Sequence, residues 1–392
     1  MTLGSDEYLD MFYTKFRSKR KKGMESSEAK GKIKAKEYAL KRCILDGVYS
    51  ARSSDKGPSF IGTLADYLGM KEGDDIFFFT DRKIYGIGKL INIKNVDCRF
   101  RIHAKTDGVV DLIETRDPSV HQFVCTFVPE PYFFKTGVDM DEVLLFCPEK
   151  IKSLRFLSQR TFMKLDDEES NAIKNVIARK NEHCLHKYDE KMHFDHADDV
   201  HKEMCERLET CVDEYNLSVF DYIEDNKKVS SEYYIEGMVM ALLRKGNSGT
   251  LGQWDFIGRQ FPASPPKPSE YVEYMDLFGY RYVPGFPGAI SKYIVVELKT
   301  GTINRAHIQQ TMKYVDWISR EYAKGDYSMI EAYTVGFDVE DGIEETTKDI
   351  TERNYIIEGH PVENRKWQAL KVFSYLKLLQ ELKKKETGDL DV

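Results

Sequence analysis

Apolar and polar positions alternate differently in the two halves of this 392-residue chain. In the last third, Tyr233-Tyr234-Ile235-Glu236-Gly237-Met238-Val239-Met240-Ala241-Leu242-Leu243 is apolar over three helical turns and predicts a helix over 231–244. Shorter runs follow at 254–260, 271–283 and 292–299, and they read as strands. Pro284-Gly285-Phe286-Pro287-Gly288 makes the turn between the last two. A helix is expected at 304–322, a strand at 328–338, and a closing amphipathic helix at 364–385 before an acidic tail. Leu370, Phe373, Leu376 and Leu379 would form the apolar stripe of that last helix, against its own domain or a second subunit. Strands with helices on both sides imply an α/β layer around a mixed sheet.

The first half is richer in strand signals. Ile76-Phe77-Phe78-Phe79-Thr80 is a buried-strand candidate, Asp81-Arg82-Lys83 a turn, and 84–91 the return strand. A short helix at 63–68 precedes it, and strands are expected at 98–103 and 121–128. The acids Asp166-Asp167-Glu168-Glu169 open a helix reaching about residue 180, where the dipole favours negative charge. The organisation is therefore a basic arm (1–39), a β-rich unit (40–178), a polar helical connector (179–230) and an α/β unit (231–385), α+β overall.

Composition narrows the functional classes. At 41% hydrophobic residues the chain can bury real cores, and 23 Tyr and 22 Phe make them aromatic. A net charge of −7 means that any nucleic-acid affinity must come from local patches. The arm supplies one candidate, with Lys or Arg at ten positions between 15 and 36; a solvated segment is the plainer reading. Seven cysteines without a CxxC spacing read as free thiols of a reducing, cytoplasmic compartment. No apolar run approaches ~20 residues and the start lacks an export pattern, so neither membrane insertion nor secretion is expected. In the connector, the pairs His183/His186 and His193/His196 have a spacing that could share a helix face for zinc, but an exposed helix accounts for them more simply.

The residues that bear most directly on chemistry lie at 276–299. Asp276 opens one predicted strand, and Glu297 and Lys299 close the next, two apart and hence on one face. Two carboxylates and a lysine from adjacent strands can seat Mg2+, with Mn2+ as a substitute, and activate water at a phosphodiester. The Leu298 carbonyl is a further oxygen within this set. Glu236 sits within an apolar helix, where a carboxylate needs a cation or donor. Gln310 and Tyr314, four apart, share a face of the following helix. Arg259 and Gln260 end a short strand at a Pro/Ser-rich loop and are candidate nucleic-acid contacts.

The order helix Glu, strand Asp, Glu-x-Lys, Gln-x-x-x-Tyr over 231–322 resembles the PD-(D/E)xK nuclease superfamily, in particular its RecB-like and NucS-like branches. Met275 stands where the superfamily name has proline. The resemblance implies a restriction-endonuclease-like fold, with Asp276, Glu297 and Glu236 on the metal, Lys299 as catalytic lysine, and Gln310 and Tyr314 positioning DNA and the active-site helix. In the front unit, 70–79 followed by Lys83-Ile84-Tyr85-Gly86-Ile87-Gly88 resembles the core hairpin of PUA-like domains of the EVE/YTH type, small β-barrels that bind nucleic acid. No Trp precedes Trp254, so any aromatic cage would fall to residues such as Tyr85, Tyr132, Phe133 and Phe134, which serve equally as core. A sensor-like unit ahead of such a core also resembles Shedu-type antiviral nucleases.

The expectation is thus a cytoplasmic, homo-oligomeric, Mg2+-dependent DNA endonuclease acting in antiviral defence or restriction on foreign or modified DNA. The rivals are a repair nuclease for mismatched or branched DNA, a nucleic-acid-binding protein with an inactive nuclease fold, and an RNA-binding adaptor.

Overall fold

The computed structural model describes residues 43–44, 46–51, 58–80, 82–94, 96–102, 122–130, 133–134, 136–156, 162–184, 191–192, 195–208, 217–221, 223, 227–265, 271–357 and 359–387. The basic arm expected at 1–39 lies outside them. The chain divides into two compact units after Ser218.

The first unit is built on a sheet of β1 (Val48–Ala51), β2 (Asp75–Thr80), β3 (Lys83–Leu90), β4 (Arg99–Arg101), β5 (Phe123–Pro129) and β6 (Val138–Asp139), with α1 (Pro58–Leu68) between β1 and β2. Its path runs β1-β5-β3-β2, with β4 on β5 and β6 on β3. The expected hairpin at 76–91 is present as β2 and β3, antiparallel from Asp75↔Lys89 to Thr80↔Lys83. The expected barrel is not: among the described residues β2 pairs with β3 and β1 with β5, and no ladder joins the two ends.

Helices α2 (Met140–Phe146) and α3 (Asp167–Lys180) cover one face, where Phe77, Phe79, Ile84 and Ile87 meet Val143, Ile173 and Ile177. The acidic run does start α3: Asp166 is its N-cap and accepts from Glu169 N at 2.8 Å. Within the predicted connector, α4 (Asp195–Leu208) packs Val200, Met204 and Cys205 against Val48 and Phe100. His201 Nε2 lies 2.9 Å from the Gly47 carbonyl.

The second unit follows the predicted helix–strand order closely. It comprises α5 (Glu232–Arg244), β7 (Phe256–Pro262), β8 (Tyr274–Val283), β9 (Phe286–Leu298), α6 (Arg305–Glu321), β10 (Ile330–Gly336), β11 (Arg353–Ile357), β12 (Glu363–Trp367), β13 (Leu370–Ser374) and α7 (Tyr375–Thr387). The five-stranded sheet has the order β13-β10-β9-β8-β7. Strands β7, β8 and β9 are antiparallel, and β10 and β13 add parallel to β9. This is the mixed sheet that the sequence pattern implied.

Strand β9 is buried along Tyr293–Leu298 at every position, as a strand covered on both faces must be. On one face Tyr293 and Val295 pack with Ile308, Met312, Val315 and Ile318 of α6. The alternate residues Ile294, Val296 and Leu298 are buried as well, and α5 touches β9 and packs on α7. Asn304 starts α6 with a capping box, accepting from Ala306 N and His307 N while its own N–H reaches His307 Nδ1.

The closing helix is shorter than expected. Residues 363–367 pair antiparallel with β11, and 370–374 form the parallel edge strand on β10, with Thr334↔Val372 in register. Leu370 and Val372 lean on the α6-side core from an extended chain. The helical stripe through Leu370 and Phe373 therefore does not exist; α7 begins at Tyr375 and buries Tyr375, Leu378, Leu379 and Leu382. Apolar residues three apart failed here because the half-covered edge strand shows no clean two-residue alternation to oppose a helical reading.

Gly279 is the tightest point of the central pairing. A Cβ there would run into the Phe256 carbonyl and the Ile257 side chain on β7, and Ile294 on β9. Gly279→Ala is expected to destabilise the second unit by about 1–3 kcal/mol or more, read as a lower urea midpoint at unchanged m-value. An unchanged midpoint would contradict this packing.

Candidate active site

The antiparallel register brings the acids together. One residue beyond the Leu277↔Val296 pair, Asp276 stands across from Glu297 on the face that α6 covers. Lys299 follows directly after β9, with its N–H on the Val335 carbonyl. From the other side, Gln260 of β7 stands across from Asp276, between the pairs Met275↔Phe261 and Leu277↔Arg259. Gln260 adopts φ +50°, a left-handed conformation that a non-glycine residue holds only under constraint.

The contacts form one network. Asp276 Oδ2 accepts the Leu298 N–H at 2.8 Å, and Asp276 Oδ1 accepts Gln260 Nε2 at 3.0 Å. The same amide nitrogen donates to Glu236 Oε1 at 2.6 Å, and Arg259 Nε donates to Glu236 Oε2 at 2.7 Å. Lys299 Nζ lies 2.6 Å from Glu297 Oε1 and 3.6 Å from Glu232 Oε1. Glu236, Asp276 and Glu297 are 0, 8 and 1% exposed, so three carboxylates share a nearly dry space.

Glu297 Oε2 is buried with no hydrogen-bond partner. Left ionised, such an oxygen without a donor is costly, so it calls for a proton or a cation. It is the one carboxylate oxygen of this network left in that state, and a hard cation is a fitting partner for it. Among the described residues, no three His, Cys, Asp or Glu side chains are already gathered as a cage. The donor set suits an ion such as Mg2+, which takes one or two carboxylates and keeps several waters.

Electrostatics reflect this crowding. Burial, then the charges of Glu297 and Glu236, push the Asp276 carboxyl well above the usual range. Burial likewise drives Glu297 up to about 7, against the opposing pull of Lys299. Burial would lower the Lys299 ammonium, but the neighbouring Glu297, Asp276 and Glu232 outweigh it and raise it. Its neighbours thus favour the cationic form of Lys299.

The other predicted residues fall in different places. Gln310 Nε2 donates to Tyr314 Oη at 3.1 Å, which donates to the Tyr274 carbonyl at 3.0 Å. Tyr314 is buried, and this chain ties α6 to the root of β8, two residues before Asp276. Arg259 is turned onto Glu236 and lies over the Tyr233 ring, and its side chain is 11% exposed. In the first unit, Tyr85 is buried, its ring against Gly137. Tyr132, His186, His193 and Cys211 lie outside the described residues, and Phe133 falls in a two-residue strand with Phe134.

Two neighbours were not anticipated. Glu232 faces Lys299 and lies one turn before Glu236 on α5, a spacing visible in the sequence. His307 sits in the first turn of α6; burial and the Lys299 charge lower its imidazole pKa. Its role depended on a capping box that only the fold reveals.

Comparison with protein-family models, curated proteins and solved structures returns no match to this chain. Among the described residues no helix is long and apolar enough to cross a membrane.

The site makes stability depend on pH. Burial pushes the Glu297 carboxyl up to about 7 in the folded state, from 4.5 for an ordinary glutamate. Between those values the folded state binds more protons, so its stability falls as pH rises. Metal-free protein is expected to lose unfolding free energy from about pH 4.5 to about pH 7. Glu297→Gln should reduce that slope in urea titrations, and identical wild-type and variant profiles would contradict it.

Proposed function

We propose that the protein is a Mg2+-dependent DNA endonuclease of the PD-(D/E)xK type, with a restriction-endonuclease-like second unit and a first unit that recognises nucleic acid in a PUA-like manner. The observation that carries this reading is the unpartnered Glu297 Oε2 beside Lys299 and across from Asp276. Structural carboxylates buried to this degree normally find donors for both oxygens. Glu169 Oε2 in the first unit is bare too, but its other oxygen takes three backbone N–H groups; at Glu297 the bare oxygen comes together with Lys299 and a second buried acid across the strand pair, a set that suits metal-assisted hydrolysis.

In this reading Asp276 and Glu297 hold the ion, and the Leu298 carbonyl is an additional oxygen beside them. When bound, Mg2+ supplies charge neutralisation at the scissile phosphate and lowers the pKa of a bound water. Lys299, kept cationic by Glu297, orients the attacking water and offsets charge that develops on the phosphate oxygens. The Leu298 N–H fixes Asp276 through its Oδ2, so the carboxylate cannot swing away from the sheet end. Tyr314 and Gln310 hold α6 against β8 and keep water from the rear of the site.

Defence or restriction in the cytoplasm suits such a protein best, since a recognition unit would make cutting conditional on foreign or modified DNA. Cutting both strands would favour a homo-oligomer.

Supercoiled plasmid with Mg2+ is the direct test. Wild type should nick or linearise it, and Lys299→Ala should lose on the order of 100-fold or more in rate while retaining DNA binding in a gel-shift assay. Failure of wild type to cleave plain, methylated or hydroxymethylated DNA with either Mg2+ or Mn2+ would reject the nuclease reading. Equal rates on the three substrates would reject modified-base recognition alone.

A further inference from the structure

The helix acid does not share the state of the other two. Glu236 is fully buried, yet both of its oxygens are occupied: Oε2 by the Arg259 guanidinium, at 2.7 Å from Nε and 2.5 Å from Nη2, and Oε1 by the Gln260 amide at 2.6 Å. Arg259 is held in turn over the Tyr233 ring. Gln260 is held by an unusual backbone: φ +50° within β7 aims its side chain between Glu236 and Asp276. Glu297 is the reverse case, with one oxygen on Lys299 and the other bare.

We infer that the site seats a single divalent cation, on Asp276 and Glu297, and that Arg259 and Gln260 withhold Glu236 from it. This rests on the metal-dependent reading above and refines it, since the superfamily resemblance would enlist Glu236 as a ligand.

Three physical points carry it. A cation bridging Glu236 Oε1 and Asp276 Oδ1 competes with the Gln260 amide nitrogen for the space between them. Recruiting Glu236 also strips the guanidinium of a charge-assisted partner in a buried setting, where an unpaired charge is strongly disfavoured. Finally, Mg2+ is content with two carboxylates and water, so nothing about the ion demands the third acid. Glu236 thus stays with Arg259 and Gln260 rather than with the ion.

Mn2+ titration followed by electron paramagnetic resonance of free ion, with calorimetry for affinity, tests this without any DNA. Wild type should bind one Mn2+ per chain. Asp276→Asn should lose binding by at least 100-fold. The double variant Glu236→Gln/Arg259→Met removes both buried charges together, so that neither is stranded, and should keep one Mn2+ within about threefold of the wild-type affinity. Two ions per wild-type chain, or a loss beyond tenfold in a double variant that folds as judged by circular dichroism, would overturn the inference while leaving the nuclease reading standing. No Mn2+ bound to wild type at all would overturn both. Should the double variant fail to fold, Glu236→Gln alone, which leaves Arg259 an amide oxygen to bond, takes its place with the same two outcomes: affinity within about threefold supports the inference and a loss beyond tenfold overturns it.

Discussion

Two buried carboxylates facing each other across an antiparallel strand pair set the conditions for everything else in the second unit. Asp276 and Glu297 are brought opposite by the β8–β9 register, in a place with almost no solvent. Like charges so placed repel, and burial makes each reluctant to ionise. The surroundings answer with the Leu298 N–H, the Gln260 amide and the Lys299 ammonium. One oxygen stays unanswered, and the functional reading turns on it.

The sheet around this pair is built to keep it rigid. Strand β9 is covered on both faces, and Gly279 lets β7, β8 and β9 approach without a side chain in the way. Helix α6 is pinned at its start by the Asn304–His307 box and at its middle by Tyr314 on the Tyr274 carbonyl. Thr311 of α6 meets Thr334 of β10 at 2.7 Å, and Thr334 is the residue paired with Glu297 in the parallel ladder. Charged groups are thus tied to the backbone of three elements, which limits how far any one of them can relax. That suits a site whose acids must remain close when no ion screens them.

Much of this is written in the order of residues along the chain. The three-turn apolar run with Glu236 in it, the strands flanking Pro284–Gly288, and the Glu297–Lys299 pair each appear where the pattern put them. The centres of these segments, 235–242 and 293–298, are buried on every side, so they read as continuous apolar runs whose length separates helix from strand. Periodicity failed at 364–374, where Leu370 and Phe373 suited a helical spacing but belong to an edge strand. Edge strands are only half covered, so their pattern is weak and competes poorly with a helical reading. In the first unit the hairpin was legible, but the barrel expected around it does not close among the described residues. Closure depends on which strands pair at long range, and residue alternation carries no such information.

The chain alone determined which chemical groups are available and roughly which elements carry them: carboxylates 236, 276 and 297, the lysine at 299, and the Gln310–Tyr314 pair. It could not assign partners. That Arg259 and Gln260 turn inward to Glu236, that Glu297 keeps one bare oxygen, and that Tyr314 fastens a helix to a strand were decided by the assembled sheet. The reason is physical. A side chain's identity fixes what it can bond, but the cost of leaving a buried charge unmet is felt only once neighbouring elements have excluded water and settled which donors remain within reach.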